Sequence, residues 1–155
     1  MRIPRIYLET SVFNFVFADD APDKKADTLK LFKEIKAGKF EPYTSEYVTD
    51  ELKKAQQPKR DNMLNLIIEY GIQVTDKSDK AIQLAELYVA EGIVPAKYIT
   101  DAVHIAAASI AELDVIASWN FKHIVKMKTI RLTEIVNLKQ GYKKMMIHSP
   151  TEVIE

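Results

Sequence analysis

From Ala96 to Leu113 the sequence has a helical pattern that is apolar almost all the way round, with Asp101 and His104 set inside its most apolar run, Ile99-Thr100-Asp101-Ala102-Val103-His104-Ile105-Ala106. A helix without a polar face has to be covered on every side. The chain must therefore place this segment centrally, with other elements packed around it.

The flanking sequence supplies those elements. Ile3 to Leu8 is short and largely apolar with β-favouring Ile and Tyr, which predicts a strand buried on both faces with Glu9-Thr10-Ser11 at its carboxyl end. Further strands are expected near Phe40 to Thr44, Ile72 to Val74, Val115 to Ala117 and Met145 to Ile147. Pro42 cannot donate to a ladder, so the second strand is short or carries its proline at an edge or at its start.

Amphipathic helices are expected over Asp23 to Lys36, over Glu46 to Ala55 with Ser45 as the cap, from Asp61 or Asn62 to Tyr70, over Ser78 to Glu91 and near Arg131 to Gln140. Gly38, Gly71, Gly92 and Gly141 stand where four of them stop. Strands alternating with helices predict an α/β chain whose parallel sheet is covered on both faces. In such sheets ligands bind beyond the carboxyl ends of the strands, where Glu9, Thr10, Ser11, Ser45, Trp119 and Asn120 emerge.

The 155 residues fit one domain with a single core, and 47% hydrophobic with 28% charged residues is a globular composition. No apolar run is long enough to cross a bilayer, and the opening Met1-Arg2-Ile3-Pro4-Arg5 has no signal-peptide character, so the cytoplasm is the default expectation. Without cysteine there are no disulfides, thiolate nucleophiles or zinc-thiolate sites, so any metal would be a hard cation such as Mg²⁺ or Mn²⁺ on oxygen or imidazole. With 22 basic and 22 acidic residues, charge neither argues for nor against a nucleic-acid partner.

Four residues stand out against this frame. Asp101 needs compensation in a buried helix, which the helix amino end can give. Glu51 interrupts the inner stripe formed by Tyr47, Val48, Leu52 and Ala55. Glu9 closes an apolar strand, and Asn120 follows the fourth strand, where asparagine usually makes a turn but can also offer a carbonyl ligand. Three carboxylates converging on one pocket would repel one another unless cations stood between them. His104, one turn after Asp101, could orient a ligand, carry a proton or simply be a hydrogen-bonded core histidine.

Taken together, Tyr7-Leu8-Glu9-Thr10-Ser11-Val12, Thr44-Ser45-Glu46-Tyr47-Val48-Thr49-Asp50-Glu51-Leu52, Thr100 to Ala108 and Ser118-Trp119-Asn120-Phe121-Lys122-His123-Ile124 resemble the PIN-domain family, especially its VapC-like toxin members. The likeness spans most of the chain. It implies a three-layer domain with a central parallel sheet, metal-dependent ribonuclease activity on RNA, homodimers, and inhibition by a small antitoxin that also binds operator DNA. By motif match, Glu9, Glu51, Asp101 and Asn120 are the implied catalytic and Mg²⁺ or Mn²⁺-binding residues, with Thr10, Ser11, Ser45 and His104 in support. Glu9 stands where the family usually has aspartate, and Asn120 where many members carry another acid.

Two other readings compete. A PIN-like module that binds RNA or a protein without turnover fits the two departures and the neutral charge. A phosphoacceptor receiver would need adjacent acids after the first strand and an acceptor aspartate ending the third, where Asp76 is the sole candidate.

Overall fold

A computed structural model of the chain describes residues 2–155; Met1 lies outside them. Among the described residues five strands, β1 (Arg5–Leu8), β2 (Glu41–Ser45), β3 (Gln73–Thr75), β4 (Val115–Ala117) and β5 (Met146–His148), form one sheet in the order β3-β2-β1-β4-β5. Every neighbouring pair is parallel. Eight α-helices accompany them among the described residues: α1 (Thr10–Phe15), α2 (Pro22–Lys36), α3 (Glu46–Leu52), α4 (Lys59–Glu69), α5 (Asp79–Ala90), α6 (Ile99–Ile110), α7 (Met127–Lys139) and α8 (Pro150–Val153). The chain is thus an α/β fold, a parallel sheet flanked by helices. No helix among the described residues is long and apolar enough to cross a membrane.

The apolar helix occupies the central place its sequence demands. Every residue of α6 from Ala102 to Ser109 is buried, and the helix lies against β2, β4 and α5. The α-helix is shorter than the 96–113 run, because Ala96–Tyr98 forms a separate 3₁₀ turn after Pro95 and the chain turns again past Ile110. Ile6, Tyr7 and Leu8 of β1 are fully buried, as expected for a central strand.

Pro42 pairs with Ile6 of β1, whereas β3 joins β2 only from Tyr43 onward. The proline therefore sits at the start of the strand, before its second neighbour arrives, and no ladder bond to β3 is lost. Gly71 and Gly92 take φ of +60° and +75° after α4 and α5, the left-handed conformation that lets a helix stop and its chain turn back.

Two helices have no counterpart among the sequence expectations. Thr10 to Phe15 is α1, hidden in the sequence because it is short and its stretch is dominated by β-branched and aromatic residues. At the other end, Ser149 and Glu152 form a capping box that starts α8. Ser45, expected to cap α3, stands at the cap position but makes no capping bond; its hydroxyl is used elsewhere, as described below.

The strand order bears on the alternatives. With β1 in the middle, the chain first builds outward through β2 and β3 and then crosses back to add β4 and β5, so the direction of winding switches between β1 and β4. A receiver is ordered 2-1-3-4-5. Here β3 is an edge strand, so Asp76 at its end stands away from the middle of the sheet and the receiver reading falls.

Candidate functional site

The crevice at a switch point opens beyond the carboxyl ends of the two strands beside it. At β1 that position is Glu9; at β4 it is Ser118 to Asn120. The two ends are tied across the switch, since the Glu9 amide donates to the Ala117 carbonyl at 3.2 Å. Glu9 is only 5% exposed, and its Oε1 accepts from the hydroxyls of Ser11 and Ser118, each at 2.6 Å. Both serines also accept backbone N–H groups of the β4 loop, Ser11 from Trp119 at 2.8 Å and Ser118 from Asn120 at 2.9 Å. One buried carboxylate thus organises both strand ends.

Glu51, on α3, lines a cleft of about 440 Å³ together with Glu9, Thr10, Ser11, Asn14 and Lys54. Its Oε1 accepts from Thr10 Oγ1 at 2.9 Å and meets Nε2 of the buried His104. The other ring nitrogen, Nδ1, lies 3.0 Å from the Tyr7 hydroxyl, which is 2.7 Å from Ser45 Oγ. A carboxylate can only accept, so Nε2 carries a proton toward Glu51. In the neutral ring Nδ1 then accepts from Tyr7, and Ser45 donates to Tyr7.

This chain explains the charges. Burial works against the Glu51 carboxylate, but the bonds from His104 and Thr10 and the charges of His104 and Lys54 outweigh it and hold the group below its ordinary range. Burial likewise opposes the imidazolium of His104, yet Glu51, Glu9 and Asp101 together raise it above the usual histidine value. The Tyr7 phenol is pushed far up by burial and stays protonated.

Asp101 enters from the first turn of α6 and is half-buried. Burial, followed by the charge of Glu9, raises its carboxyl, with Asn120, His123 and His104 pulling the other way. Asn120 Oδ1 accepts the backbone N–H groups of Lys122 at 3.1 Å and His123 at 2.9 Å. This is the turn-forming use of asparagine, and a carbonyl ligand role would have to compete with both bonds.

The eight residues singled out in the sequence are therefore placed as follows. Glu9, Glu51, Asp101 and Asn120 lie at the same end of the sheet, Thr10 and Ser11 each hold one acid, and Ser45 and His104 reach Glu51 through Tyr7 and directly. The three acids act jointly on His104 without meeting at one point, and no three His, Asp or Glu side chains among the described residues stand close enough together to enclose a metal ion. The donor chemistry nevertheless fits a hard cation. Glu51 bonds the His104 ring, Glu9 and Asp101 act on it through their charge, and Glu9 Oε2 and Glu51 Oε2 have no hydrogen-bond donor among the described residues.

Three participants escaped the sequence reading. Tyr7 reads there as strand core and Ser118 as a strand end, because their partners lie 97 and 109 residues away in the chain. His123, whose ring packs on Tyr98 at 4.3 Å between centroids, gave no periodic cue.

No sequence-family model matches this chain, nor does any curated protein. Among solved structures, VapBC2 from Rickettsia felis bound to a DNA fragment from its promoter matches with a TM-score of 0.54 and 15% identity, over 94% of this chain and 98% of that one. The two share a fold. The match runs nearly end to end in both chains, so the α/β fold with its parallel sheet flanked by helices is common to them, and the acids must be judged on their own geometry.

Proposed function

We propose that this chain is a metal-dependent endoribonuclease that hydrolyses RNA phosphodiester bonds, acting as the toxin of a type II toxin-antitoxin pair. The observation that carries the reading is that Glu9 after β1, Glu51 on α3 and Asp101 on α6 stand at one end of the parallel sheet, Glu51 bonded to buried His104 and the other two acting on it through their charge. Structural stability alone gives no reason to bring three acids there, since burial and the Glu9 charge both work against Asp101. The sequence likeness to VapC-like members and the shared fold with VapBC2 support it.

In this reading Glu9, Glu51 and Asp101 hold Mg²⁺ or Mn²⁺. When bound, the cation would activate water and offset the charge that builds on the phosphate. The protein's own part is to hold the donors ready. Ser11 and Ser118 fix one oxygen of Glu9 and leave the other turned free. Thr10 and His104 do the same for Glu51, with Tyr7 and Ser45 bracing the imidazole from behind. Asn120 favours the charged form of Asp101, and its oxygen holds the loop after β4 by accepting the Lys122 and His123 amides.

The VapBC2 structure contains a partner and promoter DNA, which supports the further reading that a small antitoxin restrains this chain. A homodimer belongs to the same reading. Cleavage of RNA by the purified chain with Mn²⁺, lost on adding EDTA and in Asp101→Asn, tests it.

One observation favours a second reading, a PIN-like module that binds RNA or a protein without turnover. The Asn120 oxygen is committed to two backbone N–H groups, and the acids do not enclose a common point. Binding without cleavage in the same assay would select it.

A further inference from the structure

The β4–α7 loop carries a second arrangement that the three acids do not use. Tyr98, the last residue before α6, is half-buried, and its ring stacks on His123 with centroids 4.3 Å apart and planes 30° from parallel. Two exposed lysines reach the same ring, Lys97 Nζ at 5.7 Å and Lys122 Nζ at 5.5 Å from its centre. An ammonium at that distance on an exposed face is weakly held, so either lysine can leave the ring for a better anion.

His123 is 8% exposed, and its Nε2 is buried with no hydrogen-bond partner. An unmet buried polar atom destabilises the fold. Tyr98 packs in part against the core, but the unmet His123 nitrogen is not explained by stability. The pair also stands near one of the acids: Asp101 is three residues beyond Tyr98 at the start of α6, and the His123 amide donates to Asn120 Oδ1 at 2.9 Å.

We propose that Tyr98, backed by His123, is a stacking platform for one unpaired base of a single-stranded RNA, and that Lys97 and Lys122 swing from its ring to the phosphates on either side of that base. The proposal rests on the reading that this end of the sheet takes RNA, and it specifies the form of that RNA. Every base has a flat face, so an aromatic ring flanked by lysines binds single strands with little regard to sequence. A paired base offers no free face. With the base on Tyr98, the neighbouring backbone is carried toward Asp101, three residues further along the chain, while Lys54 lines the cleft that holds Glu9 and Glu51.

The test is a titration of the full chain in EDTA, where cutting is prevented, with a fluorescein-labelled RNA 20-mer of mixed sequence, single-stranded or annealed to its complement. The single strand is expected to bind more tightly than the duplex. Tyr98→Leu, which keeps apolar bulk against His123, is expected to weaken single-strand binding about tenfold, and Tyr98→Trp to preserve it. In Lys97→Met/Lys122→Met, the slope of log affinity against log salt is expected to flatten by about 0.7 for each phosphate no longer neutralised. Wild-type affinity in a folded Tyr98→Leu, or equal binding of duplex and single strand, overturns the platform. RNA binding that depends on Tyr98, with no cleavage when Mn²⁺ is restored, sustains the platform and removes the nuclease reading. A wild-type chain that binds no RNA overturns the platform, and the cleavage assay then judges the nuclease separately.

Discussion

The Tyr7 hydroxyl lies 3.0 Å from His104 Nδ1, joining a central strand to a buried helix at the point where His104 turns its other nitrogen to Glu51. A hydrogen-bonded core histidine and a histidine that orients an acid are thus the same residue seen from two sides. The aromatic ring on β1 sets the imidazole, and the imidazole sets the carboxylate.

Tyr7→Phe removes the hydroxyl and leaves Ser45 Oγ and His104 Nδ1 facing an apolar edge. The loss is expected to lower stability by about 1–3 kcal/mol, the usual consequence of stranding buried polar atoms. Urea unfolding checks it, with an unchanged midpoint as the contrary outcome.

The same chain predicts a pH window. His104 is raised above its ordinary 6.5, so its contribution is complete below that pH and fades as pH rises through the higher folded value. Glu51 is lowered beneath its ordinary 4.5, so its contribution is complete above that pH and fades on acidification through the folded value. The pair should therefore stabilise most between about 4.5 and 6.5. The stability difference between wild type and His104→Gln, followed by urea unfolding across pH, should peak there; a difference independent of pH would contradict the pairing.

Asp101 behaves oppositely. Its folded value is raised, first by burial and then by Glu9, so the ionised group destabilises the fold above its ordinary pKa. Asp101→Asn is expected to be neutral or stabilising by about 0.5–1 kcal/mol near pH 7, as at other sites where function is held against stability. Adding Mg²⁺ should raise the thermal midpoint of the wild type by about 3 °C or more when the ion is in tenfold excess over its Kd, and leave Asp101→Asn unmoved. A variant that loses stability, or gains as much from Mg²⁺, would count against the assignment.

Ser118→Ala tests a residue that the sequence did not single out. Its hydroxyl donates to Glu9 and accepts from the Asn120 amide. Losing it should reduce Mn²⁺-dependent cleavage by about 10- to 100-fold, the range seen when a ligand's hydrogen-bond partner is removed. Unaltered cleavage would show that Glu9 needs no bracing.

Much of the fold was legible because local pattern and tertiary placement agree. The apolar run containing α6, the buried β1 and the proline at the start of β2 each follow from residue type alone. What stayed hidden depended on sequence-distant partners or on short elements: α1 lacks a periodic stripe, and α7 begins at Met127, four residues before the Arg131 expected. The candidate acids were visible as carboxylates at apolar positions. Their bracing was not. Tyr7, Ser118 and His123 look like ordinary strand, turn and loop residues until the sheet brings β1, β4 and α6 together.

The central claim is that Glu9, Glu51 and Asp101 cut RNA with a divalent cation. The most direct measurement is cleavage of RNA by the purified chain with Mn²⁺ or Mg²⁺, beside EDTA-treated protein and a folded Asp101→Asn variant. Cleavage confined to the untreated wild type is the predicted result; a folded, metal-supplied chain that leaves varied RNAs intact would contradict the claim and leave a site that binds without turnover.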